Sequence, residues 1–276
     1  MTGQSLRAKT LLLLSRHGVK IDPSLDEQQL VDPEIISRFV DHCTIKSKDT
    51  VIEIGPGAGN ITEALLDNSR FLICIEKNPK YLPILHERFR EIPKLKIIQD
   101  DALKIKIPRH DRLVSNLPYM IAEAFFQRTL RLEFKSATFI VPAGFAESLL
   151  AEPPSEKYSK VSWLSHLFYN VNQHEMVPPE AYLPQPRVST IIVSIKPRPN
   201  FSPSERVLRD LMQQGDKYTK NALRETLIKT GACTSKNEAR KYIQGLELPQ
   251  LIIESRVSGL SLDDLTMIER ILIPHF

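Results

Sequence analysis

The sequence predicts an α/β protein whose parallel sheet is followed by a small all-helical C-terminal domain. Five short apolar runs alternate with helical stretches of about 10–15 residues, the pattern of a parallel sheet built from βαβ units. The first run leads directly into the glycine-rich stretch GPGAGN. The segment PRPNFSPSER (197–206) then changes the composition, and residues 205–272 show helical periodicity with almost no strand signal. We therefore expect one domain over residues 1–200 and a second over residues 201–276.

Two helices are predicted ahead of the sheet. Residues 5–17 carry a leucine-rich face and end at Gly18, a residue type that commonly follows a helix. The stretch PEIISRFVDH (33–42) begins with proline, which is favoured at the first position of a helix, and its apolar residues fall on one side. Both stretches therefore predict helices with one apolar face.

Seven strands are predicted. The first five are TVIEI (50–54), FLICIE (71–76), LKIIQ (95–99), RLVSN (112–116) and ATFIV (137–141). Two more are expected near residues 167–175 and 188–196. The segment between these two, MVPPEAYLPQPR, is rich in proline and is predicted to be a loop.

The composition favours a protein of the reducing cytoplasm. The apolar run Leu11–Leu14 is far too short to span a bilayer, and no small-residue cleavage site follows it, so we expect no membrane segment and no signal peptide. Cys43, Cys74 and Cys233 are odd in number and lack metal-ligand spacing, so no metal site is expected. The net charge of +4 is compatible with nucleic-acid binding without proving it. We expect a monomer because no self-complementary apolar patch is recognisable.

Three glycines follow the first predicted strand. A loop of Gly55, Gly57 and Gly59 lets the backbone approach a ligand closely and points helix N–H groups at it. Asn60 stands where the dinucleotide pattern G-x-G-x-x-G has its third glycine, which weighs against NAD. Glu76 ends the second strand about 20 residues later, where a carboxylate can accept hydrogen bonds from both ribose hydroxyls. This spacing suits NAD and S-adenosylmethionine alike, so it indicates an adenosyl cofactor and no more.

The stretch SNLPYM (115–120) after the fourth strand separates these cofactors. Pro118 lacks a donor and fixes φ, which leaves neighbouring carbonyls free to point into a cleft. Asn116 offers an amide oxygen that can accept from an exocyclic NH₂ group, and Tyr119 offers a flat face for a base. Together these residues predict a pocket for an amino group attached to an aromatic ring.

The stretch QDDAL (99–103) follows the third strand. Asp101 is placed to accept a hydrogen bond from the adenine N6 of the cofactor. Ala102 can donate its backbone N–H to the adenine ring. The sequence therefore predicts an adenine site at the end of this strand.

These motifs resemble those of the ribosomal RNA adenine N6,N6-dimethyltransferases, the KsgA/Dim1 family. The specific marks are DEQQLVDPEII, EIGPGAGNIT, IEKNP, DDAL, NLPY, VPPEAYLPQPRVST and KNAL. The resemblance runs from about residue 25 to the C-terminus, and the opening segment is most similar to archaeal members. It implies a Rossmann-like S-adenosylmethionine-dependent methyltransferase sheet with a helical RNA-binding domain. The implied activity is dimethylation of adenosine N6 in small-subunit (16S-type) ribosomal RNA, contributing to ribosome biogenesis, with that RNA or a pre-small-subunit particle as the partner.

The resemblance also implies the cofactor contacts. The segment ahead of PEII would close over S-adenosylmethionine, with Gly55 and Gly57 under its methionine and ribose parts. Glu76 would take the ribose hydroxyls. The complete implied set is Gln28, Leu30, Gly55, Gly57, Glu76, Asp101, Ala102 and Asn116.

The tetrad Asn116, Leu117, Pro118 and Tyr119 would carry catalysis. The target adenine would be swung out of its stack and laid against Tyr119. The Asn116 amide oxygen and the Leu117 carbonyl would accept both N6 hydrogens and localise the nitrogen lone pair for attack on the sulfonium methyl. Positioning would then supply most of the effect, without a strong base.

RNA contacts are expected in the helical domain. Residues 217–241 carry a clear excess of lysine and arginine over glutamate, which suits a helical face that grips phosphates. Lys217, Lys220 and Arg224 are the predicted contacts.

Three departures from the family pattern leave a second function open. Glu27, Gln28 and Gln29 replace the usual glutamine, histidine or asparagine, and aromatic residue, which predicts a looser cofactor lid. Pro142–Gly144 replaces a usual Gln-Lys-Glu triplet, and Gly215–Asp216 replaces a usual arginine pair. The alternative is an rRNA-binding assembly factor of the same fold with little or no catalysis.

Other enzymes fit less well. Methyltransferases of DNA adenine or of glutamine N5 also use an Asn-x-Pro-Tyr tetrad, but they more often carry proline where this chain has Leu117. They also lack the proline-rich hairpin and the helical C-terminal domain. A NAD oxidoreductase would have no use for the NLPY tetrad.

Overall fold

The structure is a computed structural model that describes residues 5–21 and 28–272, and it divides into two compact units. The sheet unit comprises Met1–Leu150 and Asn170–Pro197. The helical unit comprises Ala151–Tyr169 and Arg198–Phe276. The predicted boundary near residue 200 therefore lies close to the second junction. The sequence analysis, however, assigned residues 151–169 to the first domain, and the structure groups them with the C-terminal helices.

The strands lie in two sheets. They are β1 (Gln29–Leu30), β2 (Thr50–Ile54), β3 (Phe71–Glu76), β4 (Leu95–Gln99), β5 (Arg112–Asn116), β6 (Ser136–Pro142), β7 (Tyr169–Val177), β8 (Tyr182–Leu183) and β9 (Thr190–Pro197). β1 and β8 form a two-stranded sheet, and the other seven form the main sheet. The seven strands predicted from the sequence are confirmed, with β7 and β9 shifted by about two residues, the usual boundary error.

The helices of the sheet unit precede or follow these strands along the sequence. They are α1 (Leu6–Arg16), α2 (Pro33–His42), α3 (Asn60–Asn68), α4 (Leu82–Arg88), α5 (Ala122–Thr129) and α6 (Ala143–Leu150). Asp32 caps α2 by accepting hydrogen bonds from the backbone N–H groups of Glu34 and Ile35. The two helices predicted ahead of the sheet are both present. Gly18 follows α1 with φ of +64°, as the helix-stop signal predicts.

The strand order places a topological switch at β2. The main sheet runs β4-β3-β2-β5-β6-β9-β7, and β2 pairs in parallel with β3 on one side and with β5 on the other. The chain therefore builds outward from β2 in one direction and then returns to build outward in the other. In open α/β sheets a ligand binds at the carboxyl ends of the strands beside such a switch.

The core explains why the strands read as continuous apolar runs. Val51, Leu72, Val114 and Ile140 on four parallel strands are fully buried, and Phe39 of α2 packs into the same cluster. Because helices cover a parallel sheet on both faces, its central strands lack polar alternation. Burial of this kind is worth about 1.5–3 kcal/mol for each large side chain.

A buried ion-pair network closes the amino-terminal edge of the sheet. Asp49, directly before β2, accepts from Arg112 Nε at 2.8 Å and from Lys135 Nζ at 3.0 Å. Arg112 also donates to the hydroxyl of Ser136 at 2.6 Å. Burial would raise the pKa of Asp49, but the hydrogen bonds from Arg112 and Lys135 outweigh it and lower that pKa to about 2.

The proline-rich segment is only partly the loop that the sequence predicts. Pro179–Ala181 form one 3₁₀ turn, and β8 then pairs antiparallel with β1, with Leu30 opposite Tyr182. The Tyr182 side chain is fully buried, and its hydroxyl lies 2.8 Å from that of Thr190. A two-residue strand shows no periodicity, so this pairing leaves no local signal in the sequence.

The helical unit confirms the predicted helical periodicity. Its helices are α7 (Lys160–Phe168), α8 (Pro203–Gln213), α9 (Thr219–Lys229), α10 (Lys236–Gly245), α11 (Gln250–Glu254) and α12 (Leu262–Leu272). Ser202 and Glu205 form a capping box at the start of α8. Helix α7 belongs here because the Trp163 indole N–H donates to Glu269 at 2.8 Å and Lys160 Nζ donates to the carbonyl of Leu260 at 2.7 Å. In the described part of the chain no helix is long and apolar enough to cross a membrane.

Candidate active site

A cavity of about 450 Å³ opens at the carboxyl edge of the sheet, beside the switch at β2. Its volume lies within the range of about 300–1,000 Å³ that is common for small-molecule sites. All eight predicted cofactor residues line it, namely Gln28, Leu30, Gly55, Gly57, Glu76, Asp101, Ala102 and Asn116. Six of them come together because β2, β3, β4 and β5 are parallel and end at the same edge, and Gln28 and Leu30 are added by the β1 segment.

The three glycines of the loop serve different purposes. Gly55, Gly57 and Gly59 all have positive φ, at +66°, +55° and +84°, which disfavours any side chain. A Cβ on Gly55 would meet nothing within 4 Å. A Cβ on Gly57 would lie 2.4 Å from Oε1 of Gln29, and one on Gly59 would lie 2.6 Å from the Phe89 ring. Two of the glycines therefore make room for the protein's own side chains as well.

Asn60 binds three segments to the start of α3. Its amide nitrogen donates to the Leu30 carbonyl at 2.8 Å and to the Thr10 hydroxyl at 3.0 Å, and its amide oxygen accepts from Arg88 at 2.8 Å. A glycine at this position could make none of these bonds. Asn60, which the sequence analysis counted against a dinucleotide site, thus stabilises the loop through its hydrogen bonds.

Glu76 holds the glycine loop from the end of β3. Its carboxylate accepts from the backbone N–H of Gly57 at 3.0 Å and from that of Asn78 at 2.7 Å. The residue is only 5% exposed, yet it lines the cavity. A carboxylate is an acceptor-only group with about four lone-pair sites, the kind of acceptor that ribose hydroxyls require.

Glu53 lies beneath the loop, fully enclosed by β2, β3 and α3. It accepts from the Thr62 hydroxyl at 2.6 Å, and the Cys74 thiol lies 3.4 Å away. Burial raises the pKa of Glu53 to about 7, the hydrogen bonds from Thr62 and Cys74 oppose this in part, and the charge of Glu76 adds to it. The carboxyl ends of β2 and β3 therefore carry one buried acid each, Glu53 and Glu76.

Asp101 is held by its own turn. Its Oδ1 accepts from the Leu103 backbone N–H at 2.9 Å, and its Oδ2 lies 3.1 Å from Lys77 Nζ. Burial opposes ionisation, but the hydrogen bonds from Leu103 and Lys77 lower the pKa of Asp101 below its usual value. Asp101 is thus an anionic acceptor at neutral pH. Ala102, beside it, is buried in the cavity wall.

Asn116 ends β5 with its amide in a fixed orientation. Its Nδ2 donates to the backbone carbonyl of Gln28 at 3.2 Å, which leaves Oδ1 as the acceptor for a ligand. Ser115 supports this end of β5 by donating to the Ile54 carbonyl at 2.7 Å. A bond from the Leu117 N–H to the Ile140 carbonyl, 3.0 Å long, continues the β5–β6 pairing past the strand end.

The other three residues of the tetrad differ in whether they line the cavity. Pro118 lines the cavity, whereas Leu117 is a buried core residue whose side chain is not part of the wall. Tyr119 is half-buried and does not line the cavity. The neighbouring Met120 does line it and is 73% exposed, a position that the sequence analysis did not single out.

Comparison with known proteins identifies the family. A model described as ribosomal RNA adenine dimethylase matches residues 18–240. The chain belongs to this family. It is therefore an S-adenosylmethionine-dependent rRNA adenine dimethyltransferase, and the acceptors Glu76 and Asp101, the glycine loop and the cavity volume fit that cofactor.

Archaeal proteins and one solved structure show the extent of the similarity. The chain is 31% identical over 262 residues to the probable ribosomal RNA small subunit methyltransferase A of Methanothermobacter thermautotrophicus, covering 94% of both chains. It is 30% identical to the protein of the same name from Thermococcus kodakarensis, covering 97% of this chain and 95% of that one. A dimethyladenosine transferase from Plasmodium falciparum shares the fold, with a TM-score of 0.60 at 24% identity over 88% of this chain and 97% of that one.

The lid of this dimethylase contains a residue whose role the sequence did not reveal. Gln29 is buried, and its Oε1 accepts from the Ala58 backbone N–H at 2.8 Å. Its Nε2 donates to the Tyr81 hydroxyl at 3.4 Å. The looser lid predicted from residues 27–29 thus contains two residues that are hydrogen-bonded to neighbouring segments, while Glu27 lies outside the described residues.

The predicted RNA contacts lie at the start of α9 in the helical unit of this dimethylase. Lys217 forms an ion pair with Glu225 and donates to Gln214 at 3.0 Å. Lys220 is exposed, and among the described residues it has no ion-pair partner. The Nε of Arg224 is buried without a hydrogen-bond acceptor in the described structure. Lys220 and Arg224 therefore have unneutralised charge, whereas that of Lys217 is compensated.

Proposed function

We propose that this dimethylase acts on N6 of adenosines in the RNA of the small ribosomal subunit. The archaeal relatives carry the words small subunit in their names and match nearly the whole length of the chain. The observation that carries the chemistry is the Asn116 amide, which Gln28 orients so that Oδ1 remains an acceptor at the cavity.

The cavity wall provides separate acceptors for the parts of the cofactor. The Glu76 carboxylate, which lines the cavity, would accept hydrogen bonds from the ribose hydroxyls. Asp101 accepts from the adenine N6, and the Ala102 N–H donates to the ring. Gln28, Leu30, Gly55 and Gly57 enclose the rest. When bound, S-adenosylmethionine supplies an electrophilic methyl group on a sulfonium, and its sulfur leaves as a neutral thioether.

The tetrad prepares the target nitrogen for attack. Free adenine N6 is a poor nucleophile because its lone pair is delocalised into the ring. Asn116 Oδ1 and the Leu117 carbonyl accept its two hydrogens, which draws the nitrogen towards a tetrahedral geometry and localises the pair. Pro118 fixes the turn, and the Tyr119 ring stacks on the base, an interaction worth about 1–3 kcal/mol. The nitrogen loses one proton to solvent water for each methyl group that it gains, and the neutral amide site permits the second transfer.

RNA binding involves the helical unit. Lys220 and Arg224, with Lys217, offer charge to phosphates at the start of α9. Lys236, Arg240 and Lys241 on α10 are exposed and have no ion-pair partner among the described residues, which adds to the positive charge of this unit.

The test uses undermethylated small ribosomal subunits, the purified protein and S-adenosylmethionine. Mass spectrometry of the digested RNA is expected to show N6,N6-dimethyladenosine. The Asn116→Ala variant should form far less in the same time, while Asn172→Ala, which changes an exposed asparagine on β7, should match the wild type. Large subunits treated in parallel should stay unmodified.

Two results would contradict the proposal. Methylation of large subunits alone would assign the enzyme to another RNA. Particle binding without any methylated adenosine would favour the second candidate, an assembly factor of the same fold, and would direct attention to Pro142–Gly144. In that stretch Pro142 ends β6 and α6 begins at once, without the polar triplet that is usual in the family.

A further inference from the structure

Gln29 lies where the glycine loop, which is the proposed cofactor loop, meets the lid. Its side chain fills the space that the missing Cβ of Gly57 leaves, since that Cβ would lie 2.4 Å from Gln29 Oε1. The same oxygen accepts the Ala58 backbone N–H at 2.8 Å, and Ala58 is fully buried. Water therefore cannot replace Gln29 as the acceptor, so this part of the loop depends on the Gln29 side chain.

The two neighbours of Gln29 bind the other walls of the site. The Gln28 carbonyl accepts from Asn116 Nδ2 at 3.2 Å, and the Leu30 carbonyl accepts from Asn60 Nδ2 at 2.8 Å. Pairing of β1 with β8 fixes the backbone of this segment. Three consecutive residues thus contact the cofactor loop, the first turn of α3 and the Asn116 side chain.

We propose that Gln29 is a positioning residue that holds the glycine loop in register with the amide of Asn116. This inference rests on the proposed function of Asn116. When Oε1 holds the Ala58 N–H, β1 is fixed against the loop, and the Gln28 carbonyl then lies where it can hold the Asn116 amide. A shift of β1 would alter the cofactor loop and the amide orientation together.

Gln29→Met provides the first test because it keeps the length of the side chain and removes both polar groups. An unpaired buried N–H costs enough to change an equilibrium by about tenfold to hundredfold. The Kd for S-adenosylmethionine, measured by calorimetry, should rise by about that factor. At saturating cofactor kcat should also fall, with the KM for the ribosomal subunit unchanged. Gln173→Met, at an exposed glutamine on β7, is the matched control.

Two further variants isolate the acceptor oxygen. Gln29→Glu keeps an oxygen for the Ala58 N–H, so this variant should recover more of the affinity and turnover than Gln29→Met does. Gln29→Asn keeps the amide but is one methylene shorter, so it should behave like Gln29→Met. If Gln29→Met and Gln29→Asn both fail to fold while Gln29→Glu folds, the residue is structural and the proposal is wrong.

A double-mutant cycle tests the link to Asn116. If Gln29 acts through Asn116, the fall in kcat caused by Gln29→Met should vanish in the Asn116→Ala background. An equal fall in both backgrounds, or a Gln29→Met variant that matches Gln173→Met, would overturn the proposal. Wild-type protein that does not bind S-adenosylmethionine would instead contradict the proposed function, so the two failures are distinguishable.

Discussion

The two ends of strand β2 carry buried acids in opposite electrostatic settings. Asp49, directly before the strand, is fully buried between Arg112 and Lys135, with a pKa of about 2. Glu53, near its other end, is also buried, yet its pKa is raised to about 7. The pKa values of two buried acids only four positions apart in the chain are therefore shifted in opposite directions.

The difference follows from the neighbours that the fold supplies. At the amino edge, cations come from β5 and from the segment before β6, and each satisfies one oxygen of Asp49. At the carboxyl edge, Glu53 receives hydrogen bonds from neutral groups, and the nearby Glu76 adds repulsion. One edge is thus neutralised for stability, and the other keeps acidic acceptors beside the cavity.

The largest effect is expected from removing the acid at the amino edge. Asp49→Ala should lower the free energy of unfolding by about 3–5 kcal/mol, because it leaves Arg112 buried without its partner. Urea denaturation measures this loss. The Kd for S-adenosylmethionine should not change. Glu87→Ala, which removes contacts with Arg16 and His17 at the surface, should lower the free energy of unfolding far less. Equal losses of unfolding free energy in the two variants would show that the buried ion pair matters no more than the surface contacts.

Asn116→Ala should show the opposite profile. We expect kcat to fall by about a hundredfold to a thousandfold, the usual effect of removing one preorganised hydrogen-bonding group. The free energy of unfolding should stay within about 0.5 kcal/mol of the wild type, since the side chain is only partly buried. Single-turnover kinetics and urea denaturation on the same sample separate the two quantities. A stability loss as large as that of Asp49→Ala would make Asn116 a structural residue.

The pH dependence of stability should reveal Glu53. Its folded pKa of about 7 exceeds the ordinary value of 4.5, so the folded state holds this proton more tightly than the unfolded state. Stability should therefore decrease as pH rises from about 4.5 to about 7, by about 3 kcal/mol in all. Glu53→Gln should remove this decrease, as unfolding between pH 4.5 and 8 would show. Asp49 acts with the opposite sign, because its stabilisation is present above pH 3.8 and is lost as pH falls towards 2. A wild-type profile as flat as that of Glu53→Gln would mean that Glu53 stays ionised.

The smallest effect is expected in the salt dependence of RNA binding, where an unpaired lysine is compared with a paired one. Lys220→Gln should reduce the slope of log affinity against log salt by about 0.7–0.9, the contribution of one phosphate contact. Lys217→Gln should change it less, because Glu225 already compensates Lys217. Filter binding to ribosomal RNA at several salt concentrations measures both. Lys48→Gln, at an exposed lysine of the sheet unit, is the control. A larger change for Lys217 than for Lys220 would refute this ordering.

The sequence predicted those parts of the molecule whose signal is local. Apolar runs identified β2 to β6, of which all but the edge strand β4 are largely buried, and Pro33 marked the start of α2. Positive φ explains the glycines of the loop, and the residues chosen as cofactor contacts all reach one cavity. What could not be predicted depends on partners far away in the chain. The grouping of α7 with the C-terminal helices, the pairing of β8 with β1, and the bond between Gln29 and Ala58 are of this kind.

By itself the sequence determined the order of strands and helices, the glycine loop, the acids at the strand ends and the NLPY tetrad. It did so because burial, backbone conformation and helix capping act over a few residues and limit which residue types can stand there. Only the tertiary structure decided what each buried polar group contacts. It lowers the pKa of Asp49 and raises that of Glu53, because the ionisation of a buried acid depends on the cations and dipoles within a few ångströms, which here come from other segments of the chain.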